Sequence, residues 1–135
     1  GAALPDNAVI ISVKLKFTRS EVSGGDPVTL LNGFMIDLKN GYFGSTADLE
    51  LIDFQSAASK VLGPKLTLPV GDLYTLDISN GKAYINLLST SSGVTQIRLR
   101  FKSDDNNDAI ADYLKFFSGN NSVSKPILVV KYYIP

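Results

Sequence analysis

The feature that most narrows the fold of this chain is a period-two alternation that recurs along it and is cut each time by turn-forming residues. Val13, Leu15 and Phe17 alternate with Lys14, Lys16 and Thr18. That spacing puts apolar side chains on one face of an extended strand and polar ones on the other. Phe34, Ile36 and Leu38 alternate likewise with Met35, Asp37 and Lys39 until Asn40-Gly41 interrupts, and Leu73 to Ile78 follows the same rule before Asn80-Gly81. Ile97, Leu99 and Phe101 alternate with Arg98, Arg100 and Lys102. Shorter apolar segments occupy Tyr84 to Leu87 and Tyr113 to Phe117. Ile127 to Ile134 is apolar on both parities except at Lys131, the pattern of a central strand covered on both faces.

One stretch changes period. Ala47, Leu51, Phe54, Ala58 and Val61 fall at alternating steps of four and three, which predicts a short helix around residues 46-60, capped by Ser45 or Thr46 and ended by Gly63-Pro64. Gly24-Gly25-Asp26-Pro27 predicts a turn. About seven short strands with regular turns and one helical insertion predict an all-β fold, an antiparallel jelly-roll β-sandwich. The 135 residues form one domain, 1-135, long enough to bury a core without a metal or a disulfide.

Composition then removes most chemistry. There is no His and no Cys, which excludes His-based triads, thiol catalysis and thiolate metal sites. Thirteen basic residues against thirteen acidic ones leave no net field, so a nucleic-acid partner is not expected. No apolar run approaches a bilayer span, so no membrane insertion is expected. The chain opens at Gly1 without Met, which leaves room for a leader removed by processing. Carboxylate pairs could be drawn from Asp37, Asp48, Glu50, Asp53 and Asp112, but no spacing sets two of them across a cleft. A Ser-x-x-Lys match at Ser122 to Lys125 lacks its companion motifs. The expectation is that the protein is not an enzyme.

Three constellations are candidates for binding. Asp104, Asn106 and Asp108 sit in the acidic loop Asp104 to Asp108 with Asp112 beyond it, and they concentrate oxygen ligands suited to calcium. Ala109 and Lys115 stand where a helix-loop-helix calcium loop needs Gly and Glu. The alternative is a turn whose side chains bond their own backbone. Arg98, Arg100 and Lys102 on one strand face, joined by Lys14 and Lys16 from another, would form a positive stripe for the carboxylates of an acidic polysaccharide; the alternative is a solvated face. Tyr84, with Tyr42, Tyr74 and Tyr113, is a candidate for stacking on sugar rings, against the alternative of core packing. Asn120-Asn121-Ser122 is a formal glycosylation acceptor.

The opening Leu4-Pro5-Asp6-Asn7-Ala8-Val9-Ile10, the Phe54-Gln55-Ser56-Ala57-Ala58 segment, Arg98-Leu99-Arg100-Phe101, the Asp104 to Asp108 loop, Ala111-Asp112-Tyr113 and Pro126-Ile127-Leu128-Val129-Val130 follow one another in an order that resembles a known kind of module. The chain is similar to DNRLRE-type extracellular modules, relatives of alginate-binding carbohydrate modules. The resemblance implies a jelly-roll sandwich on secreted or cell-surface proteins, appended to other domains and without activity of its own. Such modules usually carry strand material before the Leu-Pro turn, where only Gly1, Ala2 and Ala3 stand here. An early strand is therefore expected to be lacking, and an open edge invites strand addition. Together these readings predict a non-catalytic surface module that binds acidic polysaccharide. The alternative is a structural subunit of a surface filament or adhesin, built from neighbouring domains or copies by strand complementation.

Overall fold

A computed structural model describes residues 3–135 of the chain. Seven strands lie among the described residues: β1 (Val9–Ser23), β2 (Phe34–Lys39), β3 (Lys60–Lys65), β4 (Leu73–Asp77), β5 (Gln96–Phe101), β6 (Tyr113–Phe116) and β7 (Ile127–Tyr133). Every strand pairing is antiparallel, and the strands form two sheets. In the first sheet β1 is long enough to serve three partners. β4 pairs with Lys14 to Thr18 along one edge, while β7 along Val9 to Lys16 and β6 along Arg19 to Ser23 share the other. The second sheet has the order β3-β2-β5. The fold is an all-β sandwich, as the alternation predicts.

The apolar parities of the strands meet between the sheets. Val13 and Phe17 of β1 and Tyr74 and Leu76 of β4 pack with Phe34, Ile36 and Leu38 of β2 and Leu62 of β3, all buried. Three rings form the centre: Phe17, Phe34 and Tyr74 lie with centroids 5.3 to 5.5 Å apart in stacked and edge-on pairs. Burial is not uniform, however. The inward residues of the other strands, namely Ile97, Leu99 and Phe101 of β5, Leu114 and Phe116 of β6 and Leu128 and Val130 of β7, are only half-buried. The sandwich is therefore closed on its β3–β4 side and open on its β5–β7 side.

The structure corrects several sequence expectations. The predicted helix around residues 46-60 is a single 3-10 turn, Leu51–Phe54. A longer helix would need the carbonyls of Asp53 and Ser56 for the N–H groups four residues on. Both instead accept hydrogen bonds from Arg98 Nη1, at 2.6 and 3.0 Å. Gly63-Pro64 does not end a helix but lies inside β3, where the pairing with β2 shifts register. Gly63 has φ of +110°, and a Cβ there would stand 2.5 Å from the Phe34 carbonyl oxygen. Tyr84 to Leu87 is not a strand; Ser79–Tyr84 forms a 3-10 turn instead. The turn predicted at Asp26-Pro27 opens a helix, α1 (Pro27–Leu30), because Asp26 caps the Val28 N–H and Pro27 occupies the first helical position.

The largest correction concerns β7. Expected to be central and covered, it pairs with β1 alone among the described strands, and Ile127, Val129 and Tyr133 face outward and are exposed. Its second apolar parity therefore lies on the sheet's outer surface. The expected lack of an early strand falls in part on Gly1 and Ala2, which lie outside the described residues; from Leu4 onward the segment is tied down, with the Leu88 N–H donating to the Leu4 carbonyl at 2.8 Å.

Tyr74 supplies a test of the core. Its ring is fully buried, its hydroxyl has no hydrogen-bond partner, and burial raises the phenol's pKa above the ordinary value. A buried hydroxyl without a partner costs about 1–3 kcal/mol. Tyr74→Phe keeps the ring contacts and removes that cost, so thermal denaturation of the variant should be shifted upward by about 4–12 °C, at about 4 °C per kcal/mol for a chain of this length. A lower melting temperature would mean that the hydroxyl is satisfied in solution.

Candidate functional site

The most developed polar arrangement grows from one residue in the middle of an apolar strand. Asp37 stands between Ile36 and Leu38 on β2 and is completely buried. A carboxylate in such a position requires cationic partners. The register supplies them, since Asp37 faces Arg98 directly across the β2–β5 pair, with Arg100 two residues along the same face of β5. Arg98 donates from Nε to Asp37 Oδ2 at 2.8 Å, with Nη2 2.7 Å from the same oxygen. Arg100 donates from Nε to Oδ2 at 3.0 Å and from Nη2 to Oδ1 at 3.3 Å. Burial pushes the Asp37 carboxyl up, but the hydrogen bonds from Arg100 and Arg98 outweigh it and leave its pKa below the ordinary value.

The segment after β2 folds back across this outer face. The Arg98 guanidinium lies 4.5 Å from the Phe43 ring centroid, and its Nη1 reaches the two carbonyls of the 50s segment. Glu50 and Asp53 hold that segment in shape: the Glu50 N–H donates to Asp53 Oδ2 at 2.9 Å, and Glu50 Oε2 accepts from the backbone of Ser45 and Thr46. The Ser45 hydroxyl and these backbone donors hold the Glu50 carboxyl below its ordinary pKa. Between segment and sheet lies a cavity of about 500 Å³ that Phe43, Leu49, Phe54, Arg98 and Arg100 help to line. Arg98 is nearly saturated there, whereas the Arg100 side chain remains 43% exposed.

The five basic residues singled out in the sequence do not make one stripe. Arg98 and Arg100 lie on the outer face of the second sheet, and Lys102 follows just past β5, exposed, with its N–H on the Gly33 carbonyl. Lys14 and Lys16 point from β1 on the parity opposite Val13 and Phe17, and so onto the outer face of the first sheet. The sandwich core separates the two groups. Lys131, absent from the sequence-based candidates, joins Lys14 and Lys16: it lies opposite Ser12, one step along the same face from Lys14. None of these three lysines has a carboxylate within 4.0 Å among the described residues. Tyr84 is on neither face, because it ends the Ser79–Tyr84 turn and packs against the core.

The acidic loop bonds largely to itself. Asn106 Nδ2 donates to Asp108 Oδ2 at 2.9 Å and to Asp112 Oδ2 at 2.8 Å. Asp108 Oδ1 accepts from the Ile110 N–H, Asp105 Oδ1 from Asn107, and Asp112 Oδ1 from Gly25. Asp104, Asn106 and Asp112 nevertheless line a common recess of about 180 Å³. Asp37 and Phe43, missed as members of the arginine site, had a partial sequence signal: a lone acid inside an apolar strand demands a buried cation, and Arg-x-Arg on another strand offers one.

Removal of the central carboxylate is informative. Asp37→Asn would leave two guanidinium groups facing one another, and breaking a buried pair costs on the order of 3–5 kcal/mol. Partial exposure of both arginines reduces that to about 2–3 kcal/mol. Because the folded-state pKa is depressed, the pair's stabilisation is complete above the unfolded carboxylate's value near ~4 and is lost as the pH falls below it. Melting temperatures between about pH 6 and pH 2 should therefore fall more steeply for the natural chain than for Asp37→Asn.

Among known proteins, no family model, no curated protein and no solved structure matches this chain.

Proposed function

We propose that the protein is a non-catalytic extracellular surface module that holds an acidic polysaccharide on the outer face of its first sheet. The observation that carries this reading is the group Lys14, Lys16 and Lys131, three cations on one face, none with a carboxylate within 4.0 Å among the described residues; Asp77, opposite Lys14 on β4, is the acid that shares their face. Lys14 and Lys16 stand about 6.7 Å apart along β1 at strand spacing, and Lys131 adds a second row on β7. A polyuronate chain carries one carboxylate on each ring, so an extended chain can present successive charges to such rows. The exposed Ile127 and Val129 beside the lysines offer apolar contact to the sugar rings. The resemblance to DNRLRE-type modules supports the same ligand class and a secreted or cell-surface location.

Arg98 and Arg100 fit this role less well, because Asp37 already engages both. The state of the carboxylates supports a binding role over catalysis. Asp37 is clamped by two guanidinium groups, Glu50 is committed to a local turn, and Asp53 gives Oδ2 to that turn while its Oδ1 is buried without a hydrogen-bond partner. No helix among the described residues is long and apolar enough to cross a membrane.

Retardation in a polyuronate gel tests the proposal. The natural chain should be retarded at low salt and released as ionic strength rises toward about 0.5 M, because exposed charges are screened. Lys14→Glu with Lys16→Glu and Lys131→Glu should abolish the retardation, while Lys102→Glu leaves it intact. Loss of retardation with Lys102→Glu alone would move the ligand to the arginine side.

Calcium belongs to the same proposal as a stabiliser of the acidic loop through Asp104, Asn106 and Asp108. Ligation through Asn106 Oδ1 competes with the Asp108 N–H that donates to it at 3.3 Å, and ligation through Asp108 Oδ2 competes with Asn106 Nδ2. A calcium ion bound only to the folded chain at a hundred times its dissociation constant adds about 2.7 kcal/mol. The melting temperature should then rise with calcium and fall back with chelator; identical melting in both would remove the ion from the account.

A further inference from the structure

The β5–β7 side of the sandwich is unfinished in a specific way. β5 pairs only with β2, and β7 only with β1, among the described strands, so each leaves one edge of backbone N–H and C=O groups without a strand partner. Between these two edges lies a cleft of about 440 Å³ whose walls are core side chains: Leu15 and Phe17 of β1, Ile97 and Leu99 of β5, Phe116 of β6 and Leu128 of β7. On the opposite side of the sandwich the equivalent inward residues, Leu62 of β3 and Tyr74 and Leu76 of β4, are buried. The second sheet is also one strand smaller than the first.

We infer that the free edge of β5 accepts an extended strand from a separate polypeptide, one that alternates apolar and acidic residues. Its apolar side chains would enter the cleft against Ile97, Leu99, Phe116 and Leu128, and its main chain would pair with β5. The charge of the opposite face follows from β5 itself. Beyond Gln96, its outward row is Arg98 and Arg100, with the exposed Lys102 following just past its end, and the one carboxylate paired to these residues among the described ones is Asp37 on the β2 side. The single Asp37 carboxylate offsets one of the two arginine charges, Arg100 stays half-exposed, and Lys102 has no carboxylate within 4.0 Å among the described residues, so the row keeps a net positive charge toward a strand on the other side. Opposite charges across a strand pair are favourable and like charges unfavourable.

The same rule argues against a second copy as the donor through this edge. Pairing β5 with its own counterpart would set the Arg98, Arg100 and Lys102 rows side by side. The exposed apolar row Leu66, Leu68 and Val70 of another copy has Lys65, Thr67 and Pro69 as its alternate residues, and none is acidic. Of the acidic alternations the chain does possess, Ile36-Asp37-Leu38 and Leu76-Asp77-Ile78 lie within the sandwich or at its margin, and Ala47-Asp48-Leu49-Glu50-Leu51, although its leucines are exposed, is tied to its own chain through Glu50 on the Ser45 and Thr46 N–H groups, the Glu50 N–H on Asp53 and the Ala47 carbonyl on Gln96.

Two blocked nine-residue peptides provide the probe, one alternating valine with aspartate and the other valine with lysine. The readout is amide hydrogen exchange of the full chain, with peptide affinity measured by isotope-edited NMR titration. The aspartate peptide should slow exchange at Gln96 to Phe101 by about tenfold or more and bind at least tenfold more tightly than the lysine peptide. Lys102→Glu, a substitution at an exposed position, should reduce or invert that preference while the melting temperature is kept. Equal affinity for both peptides, protection confined to Ile127 to Tyr133, or no protection at millimolar peptide would each overturn the inference. Self-association that protects β5 in the absence of peptide would overturn it in favour of a second copy. The lysine face lies on the outer surface of the other sheet, so polyuronate retardation reports on the polysaccharide reading separately from either result.

Discussion

The burial of one carboxylate organises more of this molecule than any other single interaction. Asp37 lies at the centre of a three-stranded sheet with no exposure to solvent, and an ion in that position persists only if its charge is answered and its lone pairs are filled. Arg98 and Arg100 do both from the adjacent strand. Arg98 then has an Nη1 group left over, and that group reaches across to the carbonyls of Asp53 and Ser56, pinning the segment after β2 against the sheet. The covering segment in turn keeps water from Asp37. The pairing, the missing helix and the cavity beside Arg100 are thus consequences of a single placement of charge.

This explains which parts of the fold were legible in the sequence. Alternation in β1, β2, β4 and β5 reports one-sided burial, a local property, and the structure has strands at each of those places. The four-three spacing of Ala47, Leu51, Phe54 and Ala58 is also local, but Arg98, more than forty residues away along the chain, takes two carbonyls that helix propagation would use. Leu51 and Phe54 end up facing solvent in place of a core. A doubly apolar strand such as Ile127 to Ile134 is ambiguous for a different reason. Sequence records that both faces avoid charge; it does not record whether a neighbour is present, and β7 has one paired edge only among the described strands.

The candidate site was legible in its members and not in its grouping. Five basic residues read as one stripe because strand alternation assigns each to an outer face, but a sandwich has two outer faces. Only the pairing of β1 with β7, and of β2 with β5, divides Lys14 and Lys16 from Arg98 and Arg100 and brings in Lys131. Pairing also changes what the charges can do. An arginine whose donors are already directed at a buried anion cannot present the same fork to a ligand, while Lys16 and Lys131 are not in any ion pair within 4.0 Å among the described residues and Lys14 has Asp77 opposite it on the same face.

The two open edges of the sandwich differ in their protection, and the difference follows from the same division. β7 interrupts its outward row with Lys131, a cation in the middle of an edge strand, which is how natural sheets discourage further pairing with their own kind. β5 carries cations at successive outward positions, which repels another β5 even more strongly and still leaves the edge open to a strand of opposite sign. Beneath that edge the inward residues Ile97 and Leu99 remain half-buried, so apolar surface that a complete sandwich would cover is still in contact with water. Covering it would contribute about 25 cal/mol for each square ångström removed from solvent. A charged edge that rejects copies, above an apolar cleft that rewards occupation, is a chemically selective vacancy: it favours one class of strand by repulsion of the others as much as by attraction to its own.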